Sequence, residues 1–111
     1  MKNFIQDGKT ITLTAPYTVT SGSGLLVGSI FGVASNDATS GNDVETVVTG
    51  VLSIAKTSAQ AWTQGVLIYW DDTNKVCTTS SSTNKLVGVA TAAAANPSAT
   101  GYVRLNGAFV S

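Results

Sequence analysis

The sequence predicts an all-β fold, a small single-domain barrel or sandwich with an extended N-terminal arm and at most one short helix. Two observations carry that expectation. Wherever apolar residues follow a pattern, they recur with a period of two, the spacing that lines one face of a strand. Helix signals are nearly absent, and no fixed-period repeat or linker-like shift in composition divides the 111 residues. The expected division is an arm over residues 1–8, which shows no alternation, and one β domain over 9–111.

The elements follow in order. In Lys9 to Ala15, Ile11, Leu13 and Ala15 take one face while Thr10, Thr12 and Thr14 take the other, as in a half-buried strand. Pro16 ends it, because proline has no N–H to give the ladder. Leu25 to Val33 is apolar on both faces and dotted with glycine, which predicts one buried strand with close backbone contacts or a bend at Gly28 and Gly32. Val44 to Lys56 is a β-branched run interrupted at Gly50, either one bent strand or two. Thr57 to Gln64 starts with Ser/Thr caps and stops at Gly65, and there one or two helical turns are expected.

Val66 to Trp70 is the most hydrophobic block. Four Asp/Thr/Asn residues, Asp71 to Asn74, link it to Lys75–Thr79, which reads as a hairpin. Leu86 to Thr91 and Tyr102 to Val110 complete the strands, with Val103, Leu105 and Phe109 on one face. Ala92 to Ala95 is too short to nucleate a helix, and Pro97 follows closely. The loops Ser35–Asp43, Ser80–Asn84 and Ala95–Gly101 are small, polar and nearly uncharged.

Composition then limits the chemistry. Six basic and six acidic residues cancel, and the charged fraction of 11% is under half the usual ~25%. Thr, Ser, Gly and Ala replace the missing ions, so the surface is polar without being ionic and nothing draws the chain to nucleic acid. There is no histidine, which removes the commonest general base near neutral pH and the commonest metal ligand. Cys77 is the single cysteine and builds neither an internal disulfide, a zinc site nor a redox pair; it reads as a buried strand residue. Neither a signal peptide nor a membrane span is expected, since a span needs ~20 apolar residues.

No motif rises above its structural explanation. Gly8-Lys9-Thr10 resembles the end of a phosphate loop, but Asn3 stands where the first glycine belongs and a strand follows instead of a helix. Asp43 and Glu45 share a strand face, the arrangement of a carboxylate pair, whereas Asp71 and Asp72 sit at a hairpin tip where Asp caps its own turn. Asp72-x-Asn74 opens like a calcium loop without the glycine or closing Glu. Trp62, Tyr69, Trp70 and Tyr102 read as core and oligomer interface rather than as a stacking platform. Arg104, the only arginine, lies on the opposite face from Val103 and Leu105 and is read as a surface or intersubunit contact. No catalytic, cofactor-binding or metal-binding residue is assigned, and no enzyme activity, membrane contact or small-molecule substrate is expected.

Taken in order, the blocks carry more. Met1 to Gly8 leading into Ile11-Thr12-Leu13, then Leu26-Val27-Gly28, Phe31-Gly32-Val33-Ala34, Val44-Glu45 and Gly50-Val51 resemble the front half of a bacteriophage family. Gly65, Tyr69-Trp70-Asp71, Leu86-Val87-Gly88-Val89-Ala90 and Val103-Arg104-Leu105-Asn106-Gly107 resemble its back half. The family is that of the small phage capsid cement or decoration proteins, DUF2190. Its members have been labelled RecA/RadA-type phage recombinases, a label that the missing phosphate-loop glycine and the neutral charge do not support here.

The resemblance implies a structural virion protein of a phage or prophage, made in the host cytoplasm. Such a protein binds the outer surface of the head as a homotrimer and stabilises the lattice of the major capsid protein. The composition suits that role, because a chain this short buries only about 60–70% of its unfolded surface, leaves a thin core and gains from a partner. The arm then has a use: Asn3, Phe4, Ile5 and Gln6 are the candidate capsid-contact residues, with Phe4 and Ile5 anchoring while the backbone adds to a capsid strand. The alternative is a glycan- or receptor-binding module of a fibre or spike, using the Trp and Tyr side chains.

Overall fold

The computed structural model describes residues 9–107 and Val110. The arm, with Asn3, Phe4, Ile5 and Gln6, lies outside the described residues, as does Phe109. Among those described there are nine strands and no helix, arranged as two antiparallel sheets. The first sheet holds β1 (Thr10–Thr14), β2 (Gly24–Val27), β3 (Ile30–Ala34) and β4 (Asp43–Val47) in the order β1-β4-β3-β2. The second holds β5 (Thr49–Ala55), β6 (Leu67–Asp71), β7 (Val76–Thr78), β8 (Lys85–Ala90) and β9 (Thr100–Asn106) in the order β5-β9-β8-β6-β7. Of the two expected architectures this is the sandwich.

Its larger sheet nevertheless curls towards closure. The edge strands β5 and β7 converge until Lys56 and Cys77 form a parallel bridge, and the Thr57 N–H donates to the Cys77 carbonyl at 2.9 Å. Covering the edges in this way removes unpaired backbone that would otherwise template a foreign strand. Inside the curl lie Ile54, Trp62, Ile68, Trp70, Cys77, Ala90, Val103 and Leu105, all buried. Phe31 and Val33 of β3 enter the same core from the other sheet, with the Phe31 and Trp70 rings 5.0 Å apart and tilted by 48°. A second core of Ala15, Val19, Leu25, Ala34 and Val44 occupies the opposite face of the four-stranded sheet. The loops before β2 and before β4 pack there, stitched by the Val19–Ala38 bridge.

The alternation read in Lys9–Ala15 holds: the threonines of β1 are exposed, and Ile11, Leu13 and Ala15 turn inward. The predicted hairpin forms as β6 and β7, paired Tyr69 to Thr78, but its turn is Asp72–Lys75, one residue later than expected, because Asp71 still pairs with Val76. Two further expectations change. Leu25 to Val33 is not one bent strand but the hairpin β2–β3, whose last pair is Val27 with Ile30. The turn is Gly28-Ser29, with Gly28 at φ +59°, a left-handed first position that glycine adopts without strain. At Gly32 the expected close backbone contact holds: a Cβ there would lie 2.4 Å from Thr46 Cγ2 and 2.6 Å from the Val47 carbonyl oxygen.

The second change concerns Thr57 to Gln64, which forms turns instead of a helix. Its backbone is claimed by distant partners. The Trp62 N–H donates to the Ala94 carbonyl at 2.9 Å, and the Ala94 N–H donates back at 3.1 Å. Gln60 is spent on β7, donating to Thr78 Oγ1 at 2.8 Å and accepting from the Thr79 N–H at 3.1 Å. Burying Trp62, worth several kcal/mol of apolar transfer, outweighs the weak helix preference of a short segment. Val44 to Lys56 resolves into two strands, broken at Val48 rather than Gly50, and the chain changes sheet there.

Candidate functional site

The interior holds little chemistry. Cys77 is fully buried, and burial pushes its thiol up to about 12, so at neutral pH it stays protonated and unreactive. Lys56 is 3% exposed; its ammonium donates to the Thr57 carbonyl at 2.8 Å and lies 5.7 Å from the centre of the Trp62 ring. Asp71 caps its own turn, accepting from the Thr73 and Asn74 N–H groups at 3.0 and 3.1 Å and from the Asn74 amide at 2.8 Å. Those bonds, led by the two from Asn74, hold its carboxyl below the ordinary range and occupy the oxygens a cation would need. Among the described residues no three acidic or sulfur side chains group to hold a metal.

Asp72 does something the sequence did not announce. One of its oxygens accepts from the Tyr17 hydroxyl at 2.8 Å and from Trp70 Nε1 at 2.9 Å, tying the β1–β2 loop to the β6–β7 hairpin. The Tyr17 oxygen in turn accepts from the Leu26 N–H at 3.2 Å. Lys75 covers the clasp, its ammonium 4.2 Å from the centre of the Tyr17 ring and 3.7 Å from the Asp72 carboxylate. Burial first, then the bond to Asp72, raises the Tyr17 phenol to about 12. The clasp is structural: it joins the two sheets beside the Phe31–Trp70 contact.

The aromatic residues separate by environment. Trp62 and Trp70 are 2% and 1% exposed and belong to the core, Tyr69 is half-buried, and only Tyr102 stands out on the surface. They form no common stacking platform for a sugar. What the fold does assemble on the outside of the five-stranded sheet is a row of directly paired residues, Val51 to Arg104, Arg104 to Val89, and Val89 to Leu67. Tyr102 stands beside Arg104 on β9. On the four-stranded sheet Asp43 and Glu45 share an exposed face with Thr12 and Thr14, and Thr12 Oγ1 donates to Glu45 at 2.5 Å.

A surface rather than a cleft is therefore what the described residues offer. A family model described as phage cement protein matches residues 5–105, most of the chain. The chain belongs to the phage cement protein family. No curated protein and no solved structure matches it. In the fold the ordered blocks Leu26-Val27-Gly28, Tyr69-Trp70-Asp71 and Val103-Arg104-Leu105 are the β2–β3 turn, the rim of the sheet-joining clasp and part of β9, the strand between β5 and β8 in the curled sheet. Of the candidate residues, Arg104 and Tyr102 are exposed on the five-stranded sheet and Asp43 and Glu45 on the four-stranded one, and the arm residues fall outside the described part. Val51, Val89 and Leu67 carry no individual site signal in the sequence, because each is an ordinary strand residue until register sets them side by side.

Proposed function

We propose that this protein is a non-enzymatic component of the virion that binds the outer surface of the phage head and stabilises the lattice of the major capsid protein. The match to the phage cement family over residues 5–105 carries the reading. The fold is consistent with it: a small sandwich whose larger sheet joins its own edge strands at Lys56 and Cys77, with exposed threonines and a patch of exposed apolar residues, supplies contact area. The protein acts as a homotrimer, and the many copies on a particle let weak single contacts sum. Synthesis takes place in the host cytoplasm before attachment to the head.

Residues 1–8 serve as the arm, with Asn3, Phe4, Ile5 and Gln6 reaching the capsid, and 9–111 form the body. The test is decoration in vitro. Purified protein mixed with undecorated heads co-sediments with them, and a map of the particle shows small knobs at its local threefold positions. Heads that remain bare at saturating protein overturn the proposal. A chain lacking residues 1–7 decorates heads more weakly than the full chain; equal binding removes the arm from the contact.

A further inference from the structure

Three of the four large apolar side chains left exposed among the described residues, Val51, Leu67 and Tyr102, surround Arg104 on the outer face of the curled sheet. Exposures of 57%, 48% and 55% on neighbouring strands are unusual for a face that meets only water. Arg104 sits in the middle of this patch, and no carboxylate among the described residues pairs with it. The opposite charge lies elsewhere in the same molecule. Asp43 and Glu45 point out from β4 of the other sheet, and the Asp43 carboxylate takes no hydrogen bond or ion pair among the described residues.

We infer that the Arg104 face of one copy packs against the Asp43–Glu45 face of the next, so that copies of this chain associate head to tail. Two copies meeting through the Arg104 face about a twofold axis would set Arg104 against the partner's Arg104, and like charges brought together in a drying interface are repelled. A heterologous contact has no such conflict. The guanidinium meets two carboxylates, Val51, Leu67 and Tyr102 lie on the methyl groups of Thr12 and Thr14, and a contact that uses two different patches closes into a ring when the rotation allows. That the ring holds three copies rests on the cement-protein reading above; the pairing of the two faces does not.

Charge exchange tests the pairing on the purified full chain, without capsids. At micromolar concentration the wild type sediments as a closed oligomer. Arg104→Glu and the double substitution Asp43→Lys with Glu45→Lys each weaken association by about a hundredfold, and the variant carrying all three changes recovers it. All three positions are exposed, so an unchanged far-ultraviolet circular dichroism spectrum verifies that each variant folds, while its melting temperature falls with the lost association. A wild type that is monomeric, an Arg104→Glu chain that associates as tightly as the wild type, or a combined variant no better than its parents each overturns the inference. Failure to decorate heads with the oligomer intact would instead strike the proposed function and leave this interface standing.

Discussion

Cys77 shows how completely one residue is defined by its surroundings. In the sequence it is a lone thiol; in the fold its side chain is buried in the curl of the larger sheet, and burial raises its proton affinity to about 12 from an ordinary value of 9.0. A thiol reagent such as dithionitrobenzoate therefore leaves the native protein untouched and reacts stoichiometrically once denaturant unfolds it; rapid labelling of the native chain at neutral pH would contradict this burial. The linkage has a definite sign. Because the folded value is raised, the thiol's contribution to stability is whole below pH 9 and falls away as pH climbs towards 12, as seen by the denaturation midpoint. Gly88 is the steric counterpart. A Cβ there would sit 2.3 Å from the Arg104 carbonyl oxygen, a backbone atom that cannot swing aside, so Gly88→Ala lowers unfolding free energy by about 2 kcal/mol.

At the level of elements the informative feature is the clasp between the β1–β2 loop and the β6–β7 hairpin. Few apolar side chains bridge the sheets, chiefly Phe31, Val33 and Leu26, so a hydrogen-bonded tie adds rigidity that packing supplies only in part. Tyr17→Phe keeps the ring under the Lys75 ammonium but deletes the donor to Asp72 and the acceptor for the Leu26 N–H. A loss of about 1–2 kcal/mol in chemical denaturation is expected, with the secondary structure retained. No change in stability would mean that water replaces both bonds. The same reasoning explains the missing helix at Thr57–Gln64, where Trp62 and Gln60 find better partners on β7 and at Ala94 than the segment offers itself.

The molecule as a whole measures 46 × 30 × 23 Å, and its two sheets share the core that Phe31 and Val33 of the smaller one enter. Sheet topology places Arg104 on the larger sheet and Asp43 and Glu45 on the smaller one, the separation that the proposed head-to-tail contact between copies uses. Much of the architecture was legible in the chain. The threonine alternation of β1, the β6–β7 hairpin and the alternation around Val103 and Leu105 are local patterns, and each became the element it predicted. The family too could be read from the order of short blocks. The proposed contact surface was only half visible, since Arg104 stood out by its rarity while its neighbours looked like any other valine or leucine.

The dividing line is physical. Period-two alternation is written into consecutive residues, because the geometry of an extended backbone alone sends neighbours to opposite faces; no long-range contact is needed to create it. Zero net charge, scarce ions and abundant hydroxyls are likewise properties of the chain in any conformation, and they excluded most chemistry before a fold was known. Strand register is different. It depends on residues far apart in sequence meeting at one spacing, and a shift of one position would turn every side chain to the other face. Tertiary pairing therefore decided that Leu25–Val33 breaks at Gly28 and that the edges of the larger sheet meet at Lys56 and Cys77. It also set Val51, Arg104, Val89 and Leu67, scattered along the chain, in one row on its surface.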